Sequence, residues 1–324
     1  MDILSNVSSP RISIIIPVYN ASSTIERTIT SLQQQSISDF EIICVDDCSS
    51  DHSCDIISNI GLHDSRIRLL KNSRNLGPME TRKNGYQEAR GQYVGFCDSD
   101  DILPKKAYET MILAAEKSGA DIVSGNMEYI FSDDRRKLIK SELRFGHDPE
   151  SVYKSLLSYE FQHILCNKIF RRELLLDYPY KTFENAKRGE DACMFYQVVK
   201  NSAKTIQIPN VIYYYLENNA SSSHIRLKDA DISTLIRTCA FQRQLCGCYS
   251  NLSNLLYCRI SRSLCAMIQQ GYGKTDTFVN EIRNNGLEMY INPFVMIRYF
   301  KLADYLKINI KRYIYPLIGN EKNN

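Results

Sequence analysis

Through the first 130 residues, short runs of consecutive apolar side chains alternate with amphipathic stretches, which predicts a chain of βαβ units. The run over 12–18, Ile-Ser-Ile-Ile-Ile-Pro-Val, reads as a buried strand, 22–35 as a helix opened by Ser/Thr capping chemistry, and 40–45 as a second strand. The alternation continues with a helix over 53–59, a strand over 67–71, a helix over 80–89 and a strand over 93–97. A helix over 105–118 ends at Gly119 and leads into a strand over 121–125. Right-handed crossovers between parallel strands then place helices on both faces of the sheet. Beyond residue 130 the alternation weakens: 132–140 reads as a charged loop, 151–159, 171–176 and 190–202 as helices, and 205–208 and 211–216 as strands. From Leu227 onward the chain reads as helical, with segments 229–247, 251–270 and 293–314 separated by breaks containing Gly and Asn.

The 324 residues leave room for two domains, or one domain with a long appendage. A formal charge of +3 argues against nucleic acid as a partner held by bulk electrostatics. The eleven cysteines contain no C-x-x-C pair, Cys246-Gly247-Cys248 has the wrong spacing for a zinc knuckle, and an odd count favours reduced thiols. The first ten residues lack a basic start followed by an apolar core, and no run of about 18 apolar residues occurs. The expectation is a cytoplasmic protein, neither secreted nor membrane-spanning.

The densest chemistry lies directly behind the apolar run Tyr93-Val94-Gly95-Phe96, where Cys97-Asp98-Ser99-Asp100-Asp101 places three carboxylates within four residues. Carboxylates this close raise one another's pKa unless a cation sits among them, and Mg²⁺ and Mn²⁺ prefer oxygen ligands. In an open α/β sheet ligands bind at the carboxyl ends of the strands, so an acidic turn there can hold a metal against a phosphorylated substrate. An acidic N-cap for the following helix is the plainer explanation, but a cap needs only one carboxylate.

Four segments in order, Ser13-Ile14-Ile15-Ile16-Pro17-Val18-Tyr19-Asn20, Val45-Asp46-Asp47-Cys48-Ser49-Ser50-Asp51, Asp98-Ser99-Asp100-Asp101 and Gly189-Glu190-Asp191, make the chain resemble the family 2 glycosyltransferases of the GT-A fold over roughly residues 10–220. The resemblance implies an α/β architecture: a doubly wound mixed sheet flanked by helices, with a helical C-terminal extension. It divides the chain into a catalytic domain over 1–225, with a nucleotide-sugar-binding half (10–130) and an acceptor half (131–225), and a helical region over 226–324. It also implies transfer of a sugar from a UDP-linked donor, with inversion, to a glycan or lipid-linked saccharide of a bacterial surface polysaccharide.

By the same resemblance, Asp98 and Asp100 form the D-x-D motif, contacting the donor and holding Mn²⁺ or Mg²⁺ against its diphosphate, with Asp101 able to substitute in either role. Asp191 takes the position of the general base, and Glu190 supports it or contacts donor or acceptor. Pro17 and Tyr19 present backbone and ring to the nucleobase, and Asp47, or less favourably Asp46, accepts the uracil N3–H. Cys48 stands where the family commonly has Gly. In Thr81-Arg82-Lys83-Asn84-Gly85, Arg82 and Gly85 match the family segment whereas Lys83 replaces its Asn, leaving Arg82 as a partner for the diphosphate or the carboxylates. His224, after a serine run, is a candidate metal or diphosphate ligand. Each has a structural alternative: a polar turn for 46–51, a surface helix arginine for Arg82, a dipole-favoured first turn for Glu190 and Asp191, and a loop residue for His224.

Competing classes meet obstacles. A sugar-nucleotide pyrophosphorylase would show a Gly-rich loop near the N-terminus, yet 12–25 contain no glycine, and a Rossmann dehydrogenase lacks its G-x-G-x-x-G for the same reason. A catalytically silent nucleotide-sugar-binding partner in a polysaccharide assembly stays open. So does the basic amphipathic segment 293–317, which can lie on the inner face of an anionic membrane or pack on its own core or a second subunit.

Overall fold

Strand β1 (Ile12–Val18) is buried along almost its whole length, as its apolar run, interrupted only by Ser13, requires of a strand covered on both faces. It lies between β2 (Phe40–Asp46) and β4 (Tyr93–Phe96), both parallel to it, and β3 (Ile67–Lys71) adds in parallel outside β2. The structure, a computed structural model, describes residues 9–183, 188–218 and 227–291.

Helices α1 (Ile25–Gln33), α2 (Ser53–Gly61) and α3 (Pro78–Gln87) make the crossovers, and α4 (Ala107–Ser118) follows β4 and ends at Gly119 in the left-handed conformation. Ile15 lies against Gly85 of α3, while Ile12 and Tyr108 of α4 both border the space above Gly95, and residues an odd number apart point to opposite faces of a strand. Thus α3 and α4 cover opposite faces. A Cβ at Gly85 would sit 2.3 Å from Ile15 Cγ2, so glycine is what lets α3 approach the sheet this closely.

Beyond β4 the sheet turns mixed: β7 (Lys168–Arg171), β5 (Ile122–Ile130) and β6 (Arg136–Ile139) extend it in the order β3-β2-β1-β4-β7-β5-β6, with β8 (Thr205–Leu216) on the free side of β5. Strand β7 is antiparallel to both β4 and β5, β6 is antiparallel to β5, and β8 is parallel to it. Four sequence expectations change here. The strand expected over 121–125 runs on to Ile130, and the charged loop expected over 132–140 contains β6. The two strands expected over 205–208 and 211–216 are one, with a register shift opposite Ser124–Met127, and β7 had no counterpart in the sequence reading.

Helices α5 (Pro149–Leu157), α6 (Arg172–Leu176) and α7 (Glu190–Asn201) complete this half. The helical region follows with α8 (Asp229–Cys246), α9 (Ser253–Gln269) and a short α10 (Asp276–Asn284). α8 packs on α7, and α9 on α5 and α8. None of the eleven cysteines is bridged, and among the described residues no helix is long and apolar enough to cross a membrane.

Candidate active site

Parallel pairing brings the carboxyl ends of β1, β2 and β4 to one edge of the sheet, and the loops that leave them enclose a cavity of about 520 Å³. The first two loops are stitched together by backbone-to-side-chain bonds: Asn20 N–H donates to Ser49 Oγ at 2.9 Å, Ser50 N–H to Asn20 Oδ1 at 2.8 Å, and Ser22 N–H to Asp51 Oδ2 at 2.9 Å. Cys48 sits in this turn at φ +65° and is exposed, a backbone state that favours the glycine the family commonly has there.

Pro17 and Tyr19 both line the cavity, and the Tyr19 ring is about half exposed. Asp47 lines it too, with its carboxylate accepting from Asn72 Nδ2 (2.8 Å), Leu76 N–H (2.8 Å) and Gly77 N–H (2.9 Å). Asp46 is not among the lining residues. Its carboxylate lies beneath the loop and accepts from Ser49 N–H at 3.2 Å, closing the Cys48 turn.

Of the acidic turn after β4, Asp98 and Asp100 face the cavity and Asp101 does not. Asp101 is buried, accepting from Tyr213 Oη at 2.7 Å and from Leu216 N–H at 2.9 Å, and so ties the turn to the end of β8. The idea that Asp101 could replace either partner is therefore corrected, because its oxygens are committed to the wall. Burial, together with the charges of Asp98 and Asp100, pushes its carboxyl well above the usual range. Asp100 accepts from Asn218 Nδ2 at 3.0 Å, and its carboxyl is also raised, first by burial and then by the charge of Asp98. Asn218, at the end of the tyrosine-rich strand, was missed by the sequence reading; its only signal is its place just past a strand that ends beside the D-x-D turn.

Arg82, from the middle of α3, lines the cavity although it is almost wholly buried, and joins the two acidic motifs. Its Nη2 donates to Asp98 Oδ1 at 2.8 Å, while Nη1 lies 3.2 Å from Asp191 Oδ1 and 3.8 Å from Glu190 Oε1. These last two are ion contacts and not hydrogen bonds: Nε and Nη1 of Arg82 and Oδ1 of Asp191 have no hydrogen-bond partner. The surface-arginine alternative is thereby excluded for Arg82.

Glu190 and Asp191 occupy the first turn of α7, entered through Gly189 at φ +80°, where a Cβ would also approach Leu235 Cδ2 to 2.9 Å. Glu190 lines the cavity, whereas Asp191 stands behind it and accepts from Leu165 N–H at 3.3 Å. Burial and the adjacent Asp191 push the Glu190 carboxyl up to about 7. Burial also raises Asp191, opposed by the Arg82 charge. Among the described residues no three His, Cys, Asp or Glu groups come together as a ligand set. His224 lies outside the described residues, as does 293–317.

A mixed sheet with an acidic turn behind β4 and a paired carboxylate on α7 is the architecture of a GT-A glycosyltransferase. The Glycosyl transferase family 2 model matches residues 13–179, and the chain belongs to that family of transferases. It is 31% identical over 226 residues to the uncharacterized glycosyltransferase EpsJ of Bacillus subtilis, covering 68% of this chain and 65% of that one. It is 28% identical to the succinoglycan biosynthesis protein ExoO of Rhizobium meliloti, covering 68% and 65%. The matched region thus spans about two thirds of the length of these relatives. Among solved structures, S. aureus TarS 1–349 in complex with UDP-GlcNAc is similar with a TM-score of 0.67 over 93% of this chain and 91% of that one, at 17% identity, a likeness of fold.

Proposed function

We propose that this chain is an inverting, metal-assisted glycosyltransferase that moves a sugar from a UDP-sugar to a hydroxyl of a glycan or lipid-linked acceptor. The observation that carries the reading is the meeting at Arg82 of Asp98 from the D-x-D turn with Glu190 and Asp191 from α7. One side chain thus spans the donor-side and acceptor-side acids. A bacterial surface polysaccharide as the product, made at the cytoplasmic face of the membrane, completes this reading; the likeness to ExoO, a succinoglycan biosynthesis protein, supports the polysaccharide.

The half formed by residues 10–130 would hold the nucleotide and 131–225 the acceptor. Tyr19, which lines the cavity, would cover the nucleobase. The Asp47 carboxylate has about four acceptor positions, of which three are used by Asn72, Leu76 and Gly77, leaving one for a uracil N3–H. Asp98 and Asp100 fit a hard divalent cation, since Mg²⁺ and Mn²⁺ are held by one or two carboxylates together with substrate phosphates. The Asp100 carboxyl is raised first by burial and then by the Asp98 charge, and a bound cation would offset both. When bound, Mn²⁺ or Mg²⁺ supplies neutralisation of the charge on the departing diphosphate.

The remaining chemistry falls to the chain's own residues. The acceptor hydroxyl oxygen forms its bond to the anomeric carbon as the bond from that carbon to the phosphate oxygen breaks, with the electron pair leaving on the diphosphate. The hydroxyl proton passes to Asp191, which stands behind Glu190 with its Oδ2 accepting from Leu165 N–H and its buried Oδ1 3.2 Å from Arg82 Nη1. Glu190, between Asp191 and the cavity, orients acceptor or donor hydroxyls. The test is thermal unfolding against UDP-, GDP- and CDP-sugars with and without Mn²⁺. A UDP-sugar present at about 100 times its Kd should add roughly 2.7 kcal/mol of stability, and only with the metal. Equal stabilisation in EDTA, or preference for another nucleotide, would overturn the metal or the donor assignment respectively.

A further inference from the structure

A second cavity, of about 350 Å³, opens on the other side of the Glu190-Asp191 turn. Gly189 and Ala192, the residues flanking that pair in the chain, are part of its wall, while Glu190 lines the first cavity. His163, also in the wall, is two residues before Leu165, whose amide holds Asp191. The two acids therefore stand between two chambers. α8 and α9 supply most of the remaining wall, including Thr238, Gln242, Arg259 and Ser263.

The lining chemistry is one-sided. No Asp or Glu is among the described residues that line this chamber, whereas Arg259 and Arg188 are. Nε and Nη1 of Arg259 have no hydrogen-bond partner, and the guanidinium is steadied by the Tyr159 ring, whose centroid lies 3.7 Å away. Gln242 is 4% exposed, and its Oε1 is likewise without a partner. Buried polar atoms left unpaired are costly, and a planar guanidinium is matched by the paired oxygens of a carboxylate or phosphate. Burial, with the charges of Arg259 and Lys168, lowers His163 to about 4, so it enters the chamber as a neutral donor or acceptor.

We propose that this chamber is an anion subsite of the acceptor: it takes a carboxylate- or phosphate-bearing group on Arg259, with Gln242 Oε1 receiving a neighbouring hydroxyl. The volume suits a group of monosaccharide size. This rests on the reading of the first cavity as the donor site. It narrows the acceptor to an anionic one, bearing either an acidic sugar or the diphosphate of a lipid-linked saccharide.

Calorimetric titration of the full chain, loaded with UDP and Mn²⁺, tests this with three probes: methyl glucuronide, geranyl diphosphate and the neutral methyl glucoside. Wild type should bind one or both anionic probes and bind the neutral one at least about tenfold more weakly, as expected for a charge-assisted hydrogen bond. The probe that binds tells the acidic sugar from the lipid diphosphate. Arg259→Gln should weaken that probe about tenfold or more while leaving UDP affinity unchanged. Since Arg259 also packs on Tyr159, Gln242→Leu provides a variant of similar shape that removes an unpaired buried oxygen, and it should weaken the glucuronide several-fold with UDP binding intact. Wild type that binds UDP but neither anion, binds the neutral sugar equally well, or loses nothing in both variants overturns the subsite. Loss of UDP binding by wild type itself would instead refute the donor reading on which the subsite stands.

Discussion

Replacing Arg82 with Met should destabilise this protein in a way that grows with pH. The substitution keeps the buried aliphatic stem of a side chain that is 5% exposed and removes the cation facing Asp98, Glu190 and Asp191. Asp98 is 34% exposed, so water screens that pair and its loss contributes about 1 kcal/mol or less. Glu190 and Asp191 are 13% and 21% exposed, and stripping the partner from such buried acids costs on the order of 3–5 kcal/mol. At an unfolding entropy of roughly 2.1 cal/mol/K per residue, the 324-residue chain should lose about 4–7 °C in Tm near pH 8. The sign with pH follows from the protons. Glu190 already titrates at about 7, above its unfolded value, so the folded protein holds more protons than the unfolded chain between about 4.5 and 7 and loses stability as pH rises through that window. Without Arg82 these carboxyls move higher still, and the deficit at pH 8 should shrink by about 1.4 kcal/mol per unit of that extra shift on going to pH 5. Urea or thermal unfolding at the two pH values measures this directly. A variant as stable as wild type at pH 8, or one with the same deficit at both, would refute Arg82 as the charge that holds the two acidic motifs together.

Asp191→Asn should keep UDP affinity and lose roughly 10²–10⁴-fold in turnover, measured under donor saturation; lost UDP binding with turnover intact would make Asp191 a donor ligand. In wild type the acidic limb of the turnover profile should lie above the ordinary carboxylate range, because burial raises both Asp191 and Glu190, and a limb near 4 would contradict that placement. Asp100→Ala should abolish the Mn²⁺-dependent part of stabilisation by UDP in a thermal shift assay, while metal-dependent stabilisation that persists would remove Asp100 from the site. Cys48→Gly should stabilise the protein by about 0.5–1 kcal/mol in denaturant unfolding, because the φ of +65° strains any residue with a Cβ; destabilisation would show that the thiol holds the loop in some other way.

The N-terminal half was readable because β1, β2 and β4 are almost wholly buried, so each appears as a largely apolar run, broken in β1 by Ser13 and in β2 by Glu41. Its punctuation, such as Gly119 in the left-handed state after α4, is local chemistry. The far half hid its strands. β6 is Arg-Lys-Leu-Ile, an exposed piece held to β5 by backbone pairing, and charged side chains say nothing about backbone bonds. β7 begins at Lys168, a buried lysine that no periodicity would place inside: its Nζ donates to Gln162 O, Ile164 O and Asn167 Oδ1, and burial lowers it to about 7. The acids of the site were legible as types and spacings. What could not be read was how they are shared, because Asp46 and Asp101 differ from Asp47 and Asp98 only in the direction of a side chain, and Arg82 meets Asp191 across 109 residues of chain.

The most direct test of transfer by a single inverting displacement is proton NMR of a UDP-α-sugar incubated with the enzyme and Mn²⁺, following the anomeric signals during the first minutes of donor cleavage. UDP should appear only with the metal present, and the sugar should be released first as its β-anomer, the α form growing in later by mutarotation. Initial release of the α-anomer, or cleavage that proceeds equally in EDTA, would contradict the account.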